Sequence, residues 1–327
     1  MTDVLLLGGT GWVSGRVARR WVAAGARVTC LSRGGRPAPD GAEQVAADRD
    51  DPDAYAAVAA RDWDEVVDVS SRAAHVASAV AALAPRARHW TYVSTLSVYA
   101  DETTIGADES AAIVEPAAPG DAYDYGREKV AAEASVRAGL PDRSAIVRPG
   151  LIVGPGDPSD RFGYWIGRFA LAGDGPVLVP AAPALMTQFI DVEDVADVVF
   201  AMGRDRWTGI ANAICDTMPF AELIANAREY AGHTGELVTA SEEWLAAHDV
   251  AHWMGPRSLP LWLPADMPGF PTRSNAAYRA AGGSFLPLRD TLARTLADER
   301  ARGLDRERTA GLTRADELAL LAELARG

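Results

Sequence analysis

Apolar positions alternate between two rhythms over the first 155 residues. Residues 4–7, in DVLLLG, form a short unbroken apolar run that ends in glycine, the pattern of a strand covered on both faces. From Arg16 to Ala24 the apolar Val17, Trp21 and Val22 fall at helical spacing, and Gly25 suits the left-handed position that closes a helix. ARVTCLSRG returns to strand. The alternation then repeats. QVAADRDD reads as a third strand and loop and DAYAAVAARD as a helix. DEVVDVSS reads as a fourth strand, and HVASAVAALAP as a helix stopped by Pro85. HWTYVSTLSVYA is a fifth strand, Tyr123 to Ala138 a helix, and SAIVRPGLIVGPG a sixth strand running into a loop. Strands that alternate with helices predict a parallel sheet covered on both faces.

The rhythm weakens after about residue 155, where proline and tryptophan become dense, as in WMGPRSLPLWLPADMPGFP (253–271). One strand-to-helix unit returns at QFIDVEDVADVVFAMG (188–203), and the chain from about Leu288 reads as helical. The expected architecture is α/β: a Rossmann-type doubly wound parallel sheet from 1–150 plus 187–215, with a smaller C-terminal substrate lobe from 151–186 plus 216–327. No internal repeat or low-complexity segment interrupts it.

Composition narrows the class. The 327 residues are 48% hydrophobic and 24% charged, as in an ordinary globular protein. A net charge of −13 argues against nucleic acid as a partner. The basic run ARGLDRERTAGLTR is interleaved with acids and reads as a solvated helix face. No apolar run approaches the ~20 residues of a membrane span. Cys30 and Cys215 fit neither a disulfide framework nor a metal spacing, so a cytoplasmic setting is expected. The five histidines include His248 and His252 at i, i+4, but no third ligand joins them, so no metal is expected.

Two stretches carry chemistry. GGTGWVSG follows the first strand and opens the first helix, where glycines permit a tight turn and the helix N-terminus can receive a pyrophosphate. At the end of the second strand stands Leu31-Ser32-Arg33-Gly34-Gly35-Arg36, with no acid before Asp40. A carboxylate there would accept from a ribose 2′-hydroxyl, whereas Ser32 and Arg33 suit a 2′-phosphate. NADP is therefore expected, with NAD as the alternative. Asp48 could accept from an adenine amino group, or simply cap a following helix. The second stretch is DAYDYGREKVAAEA (121–134). Of 32 Lys and Arg residues only Lys129 is a lysine, and it lies four residues after Tyr125, on the same helix face. A nearby ammonium favours a phenolate and lowers its pKa, and lysine can also reach a ribose hydroxyl. Thr95 and Ser97, alternating along the end of the fifth strand, should face the same crevice.

GGTG, the STLSVY strand end, YGREK and QFIDVEDVA together resemble the extended short-chain dehydrogenase/reductase superfamily, the NAD-dependent epimerase/dehydratase-like family, over residues 3–215. GGTG, ADRDD and the Trp-rich end also resemble its uncharacterised reductase subgroup and chloroplast RNA-binding relatives. The resemblance implies that Thr95 polarises the substrate oxygen, Tyr125 is the acid/base, and Lys129 binds the nicotinamide ribose and tunes Tyr125. It implies cofactor contacts from Gly8, Thr10, Gly11, Trp12 and Val13 in the turn, Ser32, Arg33 and Asp48 at the adenosine end, and Ser70, Ser94, Pro149 and Leu151 nearer the nicotinamide. It also implies a possible homodimer. Three departures stand out. Ser14 takes the third glycine position, with Gly15 displaced by one, which bears on helix–sheet packing. The fourth strand ends DVSS. Leu151 stands where sugar-nucleotide enzymes carry an asparagine.

Ser97 and, in the second lobe, Arg161, Trp165 and Trp253 are the candidate substrate contacts, the latter three amid Phe162, Tyr164, Trp244, Met254, Trp262 and Phe270. Arg161 and Arg273 could each bind a carboxylate or phosphate. The leading expectation is an NAD(P)-dependent reductase or dehydrogenase of a small metabolite. The alternatives are an epimerase or dehydratase that retains NAD(P), and a non-catalytic NADP-responsive regulator or RNA-binding relative.

Overall fold

A computed structural model describes residues 1–326. Its centre is a seven-stranded sheet of β1 (Asp3–Leu7), β2 (Arg27–Ser32), β3 (Glu43–Ala46), β4 (Glu65–Asp68), β5 (Trp90–Val93), β6 (Ser144–Pro149) and β7 (Gly209–Ala213). All strands are parallel, in the order β3-β2-β1-β4-β5-β6-β7. This is the doubly wound order, and it reverses direction between β1 and β4, where a ligand crevice opens.

The period of two along β1 decides what each face binds. Val4 and Leu6 pack with Val17, Ala18 and Trp21 of α1 (Ser14–Ala23) and with Val195, Val199 and Met202 of α5 (Val192–Asp205). Leu5 and Leu7 pack on the other face, with Val76, Ala79 and Leu83 of α2 (Ala73–Leu83) and Ala132 and Val136 of α3 (Tyr125–Gly139). A third core holds the second lobe, around α4 (Arg161–Ala172) and α6 (Phe220–Ala231). The chain crosses back once more than the expected division: Tyr278 is buried in the α1/α5 layer beneath the sheet.

Three local expectations are corrected. Residues 53–61 form successive turns instead of a helix. Tyr55 there is buried, accepts from Arg49 Nε and donates to the carbonyl of His75, which ties the segment to the neighbouring loop and to α2. The fifth strand ends at Val93, and Leu96–Val98 is one turn of 3₁₀ helix with Thr95 as its cap. Thr95 and Ser97 are thus neighbours across a turn, not alternate positions on a strand. The basic run near the C-terminus is no solvated helix face. Arg302 and Arg306 hold Asp160, and Arg306 and Arg308 hold Glu299, with Arg308 and Glu299 both buried.

A polar network is buried where the sheet meets α3. Arg148 donates to both oxygens of Glu133 at 2.9 and 2.7 Å and to the Tyr99 hydroxyl at 2.9 Å. Tyr99 donates to Asn212 Oδ1 at 2.6 Å, and Ser94 donates to Glu133 at 2.5 Å. These bonds fix the end of β5, α3, β6 and β7 in one arrangement. Removing one partner of such a pair leaves a buried charge without compensation. Glu133→Ala should cost about 3–5 kcal/mol of stability, read as a lowered urea midpoint with an unchanged slope. A shift below about 1 kcal/mol would show that Arg148 finds another partner.

Candidate active site

The crevice over the carboxyl ends of the strands holds two adjoining cavities that share Gly11 and Val69. One, of about 860 Å³, runs over β1 and β2 to the 48–50 loop. The other, of about 590 Å³, lies between β5, α3 and the second lobe.

The glycine turn forms the floor between them. Gly8 has φ +88°, a conformation that glycine alone adopts cheaply. At Gly9 a Cβ would sit 2.6 Å from Cys30 Sγ, so this glycine permits the close approach to β2. The position that mattered for packing is therefore Gly9. Ser14, in place of the third glycine, donates to the Gly8 carbonyl at 2.6 Å and accepts from Gly11 N–H at 3.1 Å, so it ties the turn together. The N–H groups of Trp12 and Val13 have no protein acceptor among the described residues, and they precede α1, where an anion is favoured. The turn fits a pyrophosphate.

The adenosine end fits too. Ser32 Oγ is buried and without a hydrogen-bond partner, and Arg33 and Arg36 line the same cavity with exposed side chains. Asp48 also lines it, but its carboxylate caps the 48–50 turn by accepting from Asp50 N–H. With no helix over 53–61, its helix-capping alternative falls away. Arg72, His75 and Asp50, which sequence reasoning missed, complete this wall. Asp50 pairs with both His75 and Arg72. These residues come from separate loops and share no motif.

Lys129 is buried beneath the second cavity. Its ammonium donates to the carbonyls of Val93 at 2.6 Å and Ser70 at 3.0 Å, and lies 4.8 Å from the Tyr92 ring centre. Burial pushes its pKa down to about 7, against the opposing pull of Asp68 and Glu133. A neutral amine keeps two protons, enough for both carbonyls. Tyr125 is the first residue of α3, whose cap Asp124 accepts from Arg127 N–H at 2.9 Å. The residue is 43% exposed, yet burial of its hydroxyl pushes the pKa above its ordinary value. The neighbouring Thr95 hydroxyl and the charge of Arg161 pull the other way. Lys129 was expected to supply that pull. Its ammonium is turned toward the ends of β4 and β5, and the cation acting on Tyr125 is Arg161.

Of the expected positions, Ser94, Thr95, Ser97, Pro149, Leu151, Arg161 and Trp253 line this cavity. Thr95 donates to Ser97 Oγ at 3.2 Å. Trp165 does not reach it: its indole N–H donates to the Pro260 carbonyl and its ring packs against Phe220 in the second core. Arg273 is also absent, because its guanidinium lies 4.0 Å over the Tyr99 ring and donates to the Asp101 carbonyl. Met254 and Phe270 complete the apolar wall, whereas Phe162, Tyr164 and Trp262 are core. His248 pairs with Glu323 and His252 with Glu242, and among the described residues no cluster could hold a metal.

A doubly wound sheet with a phosphate-ready glycine turn, and a Tyr/Lys pair at the adjoining cavity, defines a nicotinamide-dinucleotide enzyme. The chain belongs to the NAD dependent epimerase/dehydratase family, whose model matches residues 4–213. It is 30% identical over 257 residues to 2′-dehydrokanamycin reductase of Streptomyces kanamyceticus, covering 74% of this chain and 70% of that one. Among solved structures it resembles a candidate epimerase from Burkholderia cenocepacia J2315 (22% identity, TM-score 0.71, 92% and 98% of the two chains). It also resembles a UDP-glucuronic acid 4-epimerase from Bacillus cereus in complex with NAD (13% identity, TM-score 0.66, 92% and 99%). At these identities the likeness is one of fold.

Two predictions follow from the geometry around α3. A Cβ at Gly126 would lie 2.4 Å from the Ser97 carbonyl oxygen, so only glycine lets α3 sit this close to the Thr95–Ser97 turn. Gly126→Ala should therefore destabilise by about 1–3 kcal/mol in denaturant melts. Alanine elsewhere in a helix stabilises by about 1 kcal/mol relative to glycine, and a gain of that size here would refute the contact. For Lys129 the folded pKa of about 7 lies below the unfolded value. Between pH ~7 and ~10.5 the unfolded chain binds the extra proton, so this residue makes stability rise with pH through that window and contributes no slope below it. The difference in stability between the native chain and Lys129→Met should carry that slope. A flat difference would show Lys129 charged throughout.

Proposed function

We propose that this chain is an NADP-dependent reductase or dehydrogenase acting on a carbonyl or hydroxyl centre of a small, partly apolar metabolite. The observation that carries the cofactor preference is the end of β2. There a buried, unpartnered Ser32 hydroxyl stands beside Arg33, and no carboxylate occupies the strand end to read a 2′-hydroxyl. The reductase relative supports the direction of the chemistry. Two epimerases among the structural neighbours, and the NAD of one of them, favour a second reading, an epimerase or dehydratase that retains its cofactor.

The bound nicotinamide would supply or accept the hydride at the reacting carbon. The protein's own residues do the remainder. Tyr125 is placed to give its phenolic proton to the substrate oxygen during reduction, and to take it back in the reverse direction. Thr95, beside it, holds that oxygen by a hydrogen bond. In its ammonium form Lys129 keeps a third N–H for a ribose hydroxyl while two carbonyls fix its position. Leu151, Trp253, Met254 and Phe270 present an apolar wall that limits water around the reacting groups.

The test is a titration of purified protein with NADPH and NADH, after assay for cofactor that survives purification. The protein should arrive empty and bind NADPH more tightly, and Arg33→Ala should weaken NADPH about 10–100-fold while sparing NADH. Protein that arrives with NAD(H) bound would favour the epimerase or dehydratase.

A further inference from the structure

The cavity beside Tyr125 is lined by one cation that the protein leaves without a partner. Arg161 opens α4 and is half-buried. Its Nε is shielded from solvent and makes no hydrogen bond, and among the described residues neither terminal nitrogen has a hydrogen-bond acceptor or an ion-pair partner. The neighbouring carboxylates are engaged elsewhere. Asp160, the preceding residue, is held by Arg302, Arg306 and the Thr309 N–H. Asp157, the one carboxylate lining the cavity, accepts from the N–H and hydroxyl of Ser159, and burial pushes its pKa up. Lys129 is committed to two carbonyls. Arg161 is meanwhile fixed in place, with its guanidinium 5.0 Å over the Trp253 ring, and Trp253 in turn meets Phe270 edge-on at 5.2 Å. Trp253 holds a left-handed backbone (φ 67°) to present that ring.

The contrast with the rest of the molecule is informative. Three other interior arginines are paired with carboxylates, Arg49 with Asp68, Arg148 with Glu133 and Arg168 with Glu317. Arg273, which has no carboxylate, lies over the Tyr99 ring and donates to the Asp101 carbonyl. A half-buried guanidinium without an acceptor costs free energy unless a ligand supplies one. We infer that the substrate carries a carboxylate close to its reacting carbon, and that Arg161 receives it as a planar, two-point partner. This rests on the reading of the site as a nicotinamide-dependent active site. A single free cation matches a single carboxylate. It does not match a diphosphate, whose two or more charges would call for a second free cation. The only other cation among the described residues lining this cavity, Lys129, is held by carbonyls. The apolar wall suits the remainder of a small organic acid, so the substrate class is an apolar oxo or hydroxy acid.

The test compares probes that differ only in charge. With and without saturating NADP⁺, the full chain is titrated by calorimetry with 2-oxo-4-phenylbutanoate and 3-benzoylpropanoate, and with the methyl ester of each. Inorganic phosphate and UDP serve as further probes. At least one acid should bind about 10–100-fold more tightly than its ester. Arg161→Met should abolish that preference, and Arg161→Lys should keep part of it. The NADPH affinity and melting temperature of both variants should match the native chain. The inference is overturned if no acid exceeds its ester, including the case in which neither binds. It is equally overturned if the preference survives in Arg161→Met, or if phosphate or UDP shows the Arg161 dependence in place of the acids. Failure of NADPH to bind at all would instead overturn the cofactor reading, and the titration without cofactor distinguishes the two failures.

Discussion

Burial of the Lys129 ammonium against the carbonyls of Val93 and Ser70 is the constraint on which the site depends. Those two carbonyls lie at or just beyond the ends of β5 and β4, and Lys129 lies one turn into α3, so three elements are fixed at one point. Around it, Glu133 and Arg148 close a second tie between α3 and β6, reached by Ser94 and Tyr99. Gly126 then lets the start of α3 press on the Ser97 carbonyl. Tyr125 is positioned by these contacts behind it more than by anything it touches itself. An arginine at position 129 would put a broad, permanently charged fork where two carbonyls and one outward donor fit a compact amine. This is a physical reason for one lysine in a chain that otherwise uses arginine.

Charge is distributed by the same logic. Arg49, Arg148 and Arg168 are matched to carboxylates and Lys129 and Arg273 to carbonyls, and the chain's large acid excess lies elsewhere, mostly on the surface. Two places in the crevice depart from this: the arginines beyond β2, and Arg161 beside Tyr125. Both lie where the glycine turn and the strand ends place a ligand. Among the described residues the Arg161 guanidinium finds no hydrogen-bond acceptor, and it stands in the crevice where a substrate or cofactor can supply one. Arg161 also explains how Tyr125 can be moved toward a working pKa although Lys129 is directed away from it.

Much of the fold was legible in the sequence, because continuous apolar strands and helical spacing alternate without interruption through β6. The doubly wound order followed from that alternation. The glycine turn, Tyr125, Lys129 and Thr95 were legible because each belongs to a contiguous motif. What escaped was set by tertiary contacts. Residues 53–61 form turns and not the expected helix, with Tyr55 bonded to Arg49 and His75. Trp165 and Trp253 are equally apolar in sequence, yet one is core and one lines the cavity, because only packing between α4 and the 253–271 segment separates them. Arg161 and Arg273 were indistinguishable until the Tyr99 ring and the Asp101 carbonyl were seen to occupy Arg273. The basic C-terminal run looked solvated because its partners, Asp160 and Glu299, are distant or ambiguous in the sequence.

The most direct test of the account is the ionisation of Tyr125 itself, followed as phenolate absorbance near 295 nm. The difference between the native chain and Tyr125→Phe isolates this residue, and it is recorded with and without NADP⁺. The account predicts a pKa above that of free tyrosine in the empty protein, falling below it when NADP⁺ fills the crevice and its positive nicotinamide joins Arg161 near the hydroxyl. A Tyr125 ionisation that does not respond to NADP⁺ would contradict the assignment of this tyrosine as the acid/base of a nicotinamide-dependent site.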